Sequence, residues 1–266
     1  MLIVAERINA TRKPIREALE RKDKTFFIEE AQKQERAGAH FIDINAGTDA
    51  KQEVENLPWL VECIQDEVQI PLCLDSANDV ALEKALQVYR KNQVMINSFT
   101  VEEERIRAVL PKAKEYNALV VGLAMGKGNI PQSVEERMKL VAQLIEAIQD
   151  YGIEKEKLFI DPLVVPIGTD QIQGKVFLET IKKIKETYPE VRTICGLSNV
   201  SFGMPNRRLL NRAFMALCVG YGLDAAIIDP LDEELMAILF ASRALMGCDD
   251  FCMDYITAFR TGRLKV

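Results

Sequence analysis

Thr193-Ile194-Cys195-Gly196-Leu197-Ser198-Asn199-Val200-Ser201-Phe202-Gly203-Met204-Pro205-Asn206-Arg207-Arg208 changes character part-way along. Its first residues are apolar and read as a buried strand, and the rest is dominated by Ser, Asn, Gly and Pro. A parallel strand covered on both faces stays apolar until it leaves the sheet. Ser198 and Asn199 are therefore expected where the strand surfaces, followed by a long loop and a helix starting near Asn206. A Ser-Asn pair by itself is an ordinary turn former. Most other apolar runs of the chain end the same way, and that repetition is what gives the pair meaning.

Working outward, residues 2–5 run into Glu6-Arg7-Ile8-Asn9, and 41–42 into Asp43-Ile44-Asn45-Ala46-Gly47. Residues 71–74 end at Asp75-Ser76, 94–96 at Asn97-Ser98, and 119–123 lead to Met125-Gly126-Lys127-Gly128. Residues 158–160 close on Asp161-Pro162, and 225–228 on Asp229-Pro230. Helical patterns lie between these runs. One extends from about Thr25 to a left-handed cap at Gly38. Pro58 is expected to divide the next stretch, with a new helix carrying it in the first turn. Thr100-Val101-Glu102-Glu103 and Ser133-Val134-Glu135-Glu136 both have capping-box spacing. After the second box, Val134, Met138, Val141, Ile145 and Ile148 recur at helical spacing up to Gly152. A further helix is expected from about Asp232, and a last amphipathic segment from Phe251 through Tyr255 to Phe259.

About eight strand-like runs alternating with helices, in 266 residues without a linker or a composition break, predict one domain over 1–266. The expected fold is α/β, a single (β/α)8 barrel, which typically takes about 250 residues. A doubly wound open sheet is the alternative, because periodicity does not show whether a sheet closes. In a barrel, function gathers at the carboxyl ends of the strands.

Net charge is −6, which argues against nucleic acid or an anionic membrane as the main partner. No apolar stretch approaches the roughly 18 residues that span a bilayer. The first apolar run meets Glu6 and Arg7 too early for a signal-peptide core, so a cytoplasmic location is expected. The six cysteines (Cys63, Cys73, Cys195, Cys218, Cys248, Cys252) have no framework spacing and are expected to be free. Cys248 and Cys252 could share a helix face, but His40, the one histidine, is far from them in sequence, so no metal site is expected.

The strand ends carry Glu6, Asn9, Asp43, Asn45, Asp75, Asn97, Asp161, Ser198, Asn199 and Asp229. Singly, each reads as a turn or cap residue. In a barrel they converge on one mouth that lacks histidine, and with it the usual general base and any Ser-His or Cys-His pair. Carboxylates accept paired N–H donors and amides both donate and accept, which suits the donor-rich edge of a pterin or guanine-like ring. A hard cation such as Mg²⁺ is the other occupant that clustered carboxylates suggest. Phosphate sites are weakly supported, since Gly126-Lys127-Gly128 lacks the spacing of a phosphate loop. Arg207, Arg208 and Arg212 begin a helix, either as a solvated face or as an anchor for a substrate carboxylate or an acidic protein surface.

Gly196-Leu-Ser-Asn-Val-Ser-Phe-Gly203 with Asn211-Arg212 resembles the pterin-binding methyltransferases. Glu-Arg-Ile-Asn (6–9), Asp-Ile-Asn-Ala-Gly (43–47), Leu-Asp-Ser (74–76), Ile-Asn-Ser (96–98) and Ile-Asp-Pro (160–162) agree with that family in order and spacing. The resemblance covers essentially the whole chain. It is to the methyltetrahydrofolate:corrinoid protein methyltransferases, whose module also occurs inside cobalamin-dependent methionine synthase.

The resemblance implies a methyltransferase with a pterin-binding barrel, usually homodimeric. Its substrate would be tetrahydrofolate or 5-methyltetrahydrofolate, and the methyl would move between N5 and cobalt. By motif, Asp75, Asn97 and Asp161 would bond the pterin edge, and Asn199 would act beside the methyl-bearing nitrogen. Gly196 and Ser198 would shape the floor, with Glu6, Asn9, Asp43, Ile227 and Arg207 in supporting positions. The Asp-x-His-x-x-Gly motif of cobalamin-carrying domains is absent, which implies a corrinoid or cobalamin on a separate protein docking over the mouth. Residues 166–175 and 202–206 are expected to meet that partner. Dihydropteroate synthase is the nearest rival, but Arg260-Thr261-Gly262-Arg263 lacks the Arg-x-His it would carry near its C-terminus. A non-catalytic pterin-binding protein and a metal-dependent barrel lyase or hydrolase are the others.

Overall fold

Eight parallel strands close on themselves in chain order in the computed structural model, which describes residues 1–47, 49–127 and 130–264. They are β1 (Leu2–Asn9), β2 (Phe41–Asn45), β3 (Leu72–Asp75), β4 (Val94–Phe99), β5 (Leu119–Leu123), β6 (Leu158–Asp161), β7 (Arg192–Gly196) and β8 (Ala225–Ile228). The last strand returns to the first, with Leu2 opposite Ala225 and Val4 opposite Ile227. That pairing excludes the open sheet. Gly128, part of the expected exit of β5, lies outside the described residues.

Several strands are longer than their apolar runs. β1 continues to Asn9, β2 to Asn45, β3 to Asp75, β4 to Phe99 and β6 to Asp161. The polar residues after those runs therefore belong to the strands. Side chains alternate along a strand, so one parity faces the barrel axis and the other faces the helices. Val4, Phe41, Cys73, Met95, Leu119, Val121, Phe159, Ile194 and Ala225 form the packed interior, joined by Leu2, Leu123 and Ile227. The other parity, such as Ile42, Ile44, Leu72, Leu74, Ile96, Val120 and Ile160, is buried against the helices. Full burial of an aromatic such as Phe159, which has no exposed surface, contributes about 1.5–3 kcal/mol.

The helical ring is formed mainly by Lys24–Arg36, Ala50–Ile64, Asp79–Val88, Glu103–Glu115, Val134–Asp150, Gln173–Thr187, Arg207–Gly220 and Glu233–Leu245. Gly38 and Gly152 adopt the left-handed conformation expected after their helices, with φ of 98° and 67°. Ser133 and Glu136 form the expected capping box. The helix after β4 departs from expectation: it begins at Glu103 with Glu102 as its N-cap, and Thr100 accepts only from the Glu102 N–H. Its box does not form because the start is shifted two residues along.

Pro58 does not divide its segment. Ala50–Ile64 is one helix with Pro58 inside it. A proline forfeits one backbone hydrogen bond, but Leu57, Leu60, Val61 and Ile64 share a fully buried face that keeps both halves aligned. A short helix, Lys13–Glu20, precedes Lys24–Arg36 and was not expected from the pattern. The final amphipathic segment is a 3-10 turn, Asp250–Cys252, followed by the helix Met253–Arg260. No helix among the described residues is long and apolar enough to cross a membrane.

Candidate active site

The interior parity fixes which polar groups meet. Counting by twos from the packed interior, Leu2 and Val4 lead to Glu6, Phe41 to Asp43 and Asn45, and Cys73 to Asp75. Met95 leads likewise to Asn97, Phe159 to Asp161, Ile194 to Gly196, and Ala225 to Ile227. The carboxyl-end layers of the barrel interior are thus polar where the layers below are apolar. Asp75 is in register with Asn97. Asn45 donates from Nδ2 to Asp75 Oδ2 at 2.9 Å, and its own Oδ1 accepts from the Gly47 N–H at 3.0 Å. Asp43, expected at a strand exit, is instead a buried mid-strand group.

Burial gives these carboxyls unusual proton affinities. Asp43 is pushed well above the ordinary carboxylate range, first by burial and then by the charge of Asp75. Its Oδ1 has no hydrogen-bond partner. Asp75 is also raised by burial, opposed by its bond from Asn45. Repulsion between neighbouring carboxyls opposes ionisation of both at once, so the pair holds a proton more tightly than a lone carboxyl. Asp161 is buried and pushed up to about 7 by desolvation. It accepts from the Leu163 N–H at 2.8 Å, across a turn in which Leu163 has φ of 67°. Glu6 is likewise pushed up to about 7, by burial and then by the charge of Asp229, and it shares a hydrogen bond with Ser198.

Asn199 stands above this layer. After β7 the chain enters a 3-10 turn, Leu197–Ser201, with Leu197 and Val200 buried beneath and Asn199 exposed. A Cβ added at Gly196 would lie 3.1 Å from Asn199 Nδ2, so glycine there leaves room for the amide to lie over the strand end. Arg207 clamps the turn from outside. It donates from Nη2 to the Ser198 carbonyl at 2.8 Å and from Nε to Ser201 Oγ at 3.1 Å, and lies over Phe202 with 5.8 Å to the ring centroid.

Other expected positions have structural work. Asn9 accepts from the Thr11 N–H at 3.0 Å and from Thr11 Oγ1 at 2.7 Å, so its oxygen closes a turn. Asp229 accepts from Arg7 at 2.8 Å, while Arg7 also pairs with Glu30. Arg212 is paired with Asp232 and Glu234, while Arg207 and Arg208 are both exposed, Arg208 lying 4.0 Å from Asp232. Cys248 and Cys252 are exposed and free, and no metal-binding group of His, Cys, Asp or Glu occurs among the described residues.

Sequence reading missed Arg137 and Gln173, both fully buried behind Asp161. A signal was present: Arg137 is spaced with Val141, Leu144 and Ile148 on the core-facing stripe of its helix, where a cation is out of place.

The pattern of the pterin binding enzymes matches residues 5–229, from β1 to the exit of β8. The chain belongs to that family. This pterin-binding barrel is 34% identical to the methylcorrinoid:tetrahydrofolate methyltransferase of Eubacterium limosum, covering 99% of this chain and 98% of the relative. It is 29% identical to a methionine synthase of Mycobacterium tuberculosis over 86% of this chain, which spans only 20% of that longer protein. Among solved structures, the 7,8-dihydropteroate synthase of Vibrio fischeri superposes with a TM-score of 0.69 at 17% identity, covering 92% of each chain. At that identity the likeness speaks for the fold.

Proposed function

We propose that this pterin-binding enzyme is a methyltransferase that moves a methyl group between N5 of tetrahydrofolate and the cobalt of a separate corrinoid protein. The observation that carries the reading is the ring of inward acceptors, Asp75, Asn97 and Asp161, beneath the exposed amide of Asn199. The full-length likeness to a methylcorrinoid:tetrahydrofolate methyltransferase supports it.

A pterin lowered into the mouth presents its N–H edge to Asp75, Asn97 and Asp161, and a carboxyl that is ionised accepts such donors well. Asn97 supplies an amide that both donates and accepts. Ile227 and Gly196 border the ring plane without polar demands. Asn199 donates to the methyl-bearing nitrogen, and that bond strengthens as charge develops there, which makes nitrogen a better leaving group. The corrinoid supplies cobalt, a strong nucleophile when reduced and a methyl donor when methylated. In the opposite direction the same contacts orient the free nitrogen, so the geometry serves both.

The mouth needs no histidine. Glu6 and Asp161 are both pushed up to about 7, so the site holds exchangeable protons at neutral pH. Glu6, hydrogen-bonded to Ser198 next to Asn199, is the carboxyl best connected to the nitrogen end of the ring.

The corrinoid protein would dock over the exposed rim formed by Ile172, Phe202, Leu209 and Arg208. Ile172 and Phe202 lie in the segments expected to meet it, and Arg208 and Leu209 lie just beyond them. Residues 1–266 would act as one barrel domain, in a homodimer and in the cytoplasm.

Titration of the pure protein with methyltetrahydrofolate and free cob(I)alamin, followed by cobalt absorbance, tests the reading. Methylcobalamin should form only when protein and folate are both present. Folate uptake without any cobalt methylation would favour a binding protein instead.

A further inference from the structure

Arg137 has no role in the chemistry above, yet it is the largest side chain with no solvent exposure at all. Its Nε donates to the Pro131 carbonyl at 3.2 Å and its Nη2 to Gln173 Oε1 at 2.7 Å, while Nη1 is buried without a partner. It forms no ion pair among the described residues. Guanidinium stays charged at any physiological pH. A charge this deep persists only when another charge compensates it.

One acidic group supplies that compensation. Burial opposes the charge on Arg137, and Asp161 is the neighbour that favours it; reciprocally, Arg137 is the charged group that favours the ionised form of Asp161. Helix Val134–Asp150 packs on β6, whose last residue is Asp161. The other titratable carboxyl at this end is Glu6 on β1, which with Asp161 acts on the buried Cys195 thiol and is common to wild type and variants. The loop after Asp161 offers it the Leu163 N–H, β7 offers the Gly196 N–H and the buried Cys195 thiol, and β5 places Leu123 beside it. Burial raises the Cys195 thiol well above its usual range, so it stays protonated.

The guanidinium is also fixed in place. Gln173 Nε2 donates to Gln132 Oε1 at 3.0 Å, to the Gln132 carbonyl at 3.3 Å and to Asp170 Oδ2 at 3.0 Å. Those bonds tie the segment before helix Val134–Asp150 to the loop leaving β6. A rigid cation is thus held behind a carboxylate that must be an acceptor for the ligand.

We propose that Arg137 is a positioning residue for pterin recognition: its buried guanidinium is the counter-charge behind Asp161 that favours a carboxylate over a neutral acid against the N–H edge of the ring. This rests on the pterin-binding role given to Asp161 above. Without Arg137 the barrel still closes and the pocket keeps its shape, but Asp161 holds its proton to higher pH and the edge meets a neutral acid.

The experiment is tetrahydrofolate affinity from pH 5.5 to 9 for wild type, Arg137→Met, Arg137→Gln and Arg137→Lys, each checked for a cooperative melt. The ratio of variant to wild-type dissociation constants removes the titration of the ligand itself. For the neutral variants that ratio should be about tenfold at pH 5.5 and about fivefold at pH 7, and fall towards one by pH 9, as a shift of roughly one unit in the acid limb requires. Arg137→Lys, which keeps the charge, should follow the wild-type profile more closely. A loss that is the same at every pH, or no loss at all, overturns the proposal, because a merely structural arginine has no pH signature. Unfolding of both neutral variants beside a folded Arg137→Lys also overturns it, since the charge would then serve the fold. Wild-type protein that takes up no tetrahydrofolate at any pH refutes the proposed function instead.

Discussion

The lower and upper halves of the barrel interior are built by the same strands on the same two-residue period, yet they do opposite things. Below, Val4, Phe41, Cys73, Met95, Phe159, Ile194 and Ala225 fill the space with apolar volume. One inward step further on, Glu6, Asp43, Asp75, Asn97 and Asp161 present oxygen and amide groups, and Gly196 leaves a gap. The lower half has little left to satisfy once packed. The upper half keeps an unpartnered buried oxygen on Asp43 and carboxyls raised by desolvation. Packing is written in the first inward residues of each strand, and the binding proposed above in the last.

The largest effect that would break this division lies in the lower half. Phe159→Ala should cost about 3–5 kcal/mol of folding stability by leaving a cavity in a packed interior. At a temperature where the variant is still folded, folate affinity should change little; denaturant melts beside calorimetry read both. A variant whose affinity collapses while its stability holds would show that the halves are not separable.

Asn199→Ala comes next and belongs wholly to the upper half. Removing a donor that strengthens in the transition state should slow methyl transfer by about 10²–10³ while folate affinity falls far less. Single-turnover rates set against affinity give the split. Equal losses in both would mean that Asn199 only holds the ring.

A smaller effect sharpens the comparison through pH. Asp161 has its proton affinity raised to about 7 in the folded protein, above that of the unfolded chain. A raised carboxyl stabilises the fold fully while it is protonated in both states, and that contribution is lost as pH climbs through the folded value. Asp161→Asn, neutral throughout, should therefore melt several degrees above wild type at pH 8 and show little advantage at pH 4. Phe159→Ala should show no such slope. A pH-independent difference for Asp161→Asn would remove the assigned desolvation as its cause.

The division between the halves also explains what could be read from the sequence. Apolar runs ending in polar residues marked the strands, and the repetition of Asp75, Asn97, Asp161 and Ser198-Asn199 at run ends marked the carboxyl rim of the barrel. Strand length was misjudged because interior polar residues look like exit residues when only apolarity is followed. Glu6 and Asp43 continue the inward parity of Val4 and Phe41, which required a barrel to be assumed first. Pro58 misled because the buried face of Leu57, Leu60 and Val61 outweighs one lost hydrogen bond. Asn9 was grouped with the ring, while its oxygen is engaged by Thr11, a local contact that spacing does not reveal. Arg137 was overlooked for a different reason: its place on the core-facing stripe marks it as unusual, but the role proposed for it depends on Asp161, 24 residues away and on another element.

Calorimetric titration of tetrahydrofolate into wild type and Asp75→Ala at neutral pH tests the central claim most directly. Wild type should bind one pterin per chain, and Asp75→Ala should lose at least about tenfold in affinity while melting cooperatively, because a charged acceptor has left the ring edge. Unchanged affinity in a folded Asp75→Ala protein would contradict the account, since the upper half of the barrel would then not be what grips the ring.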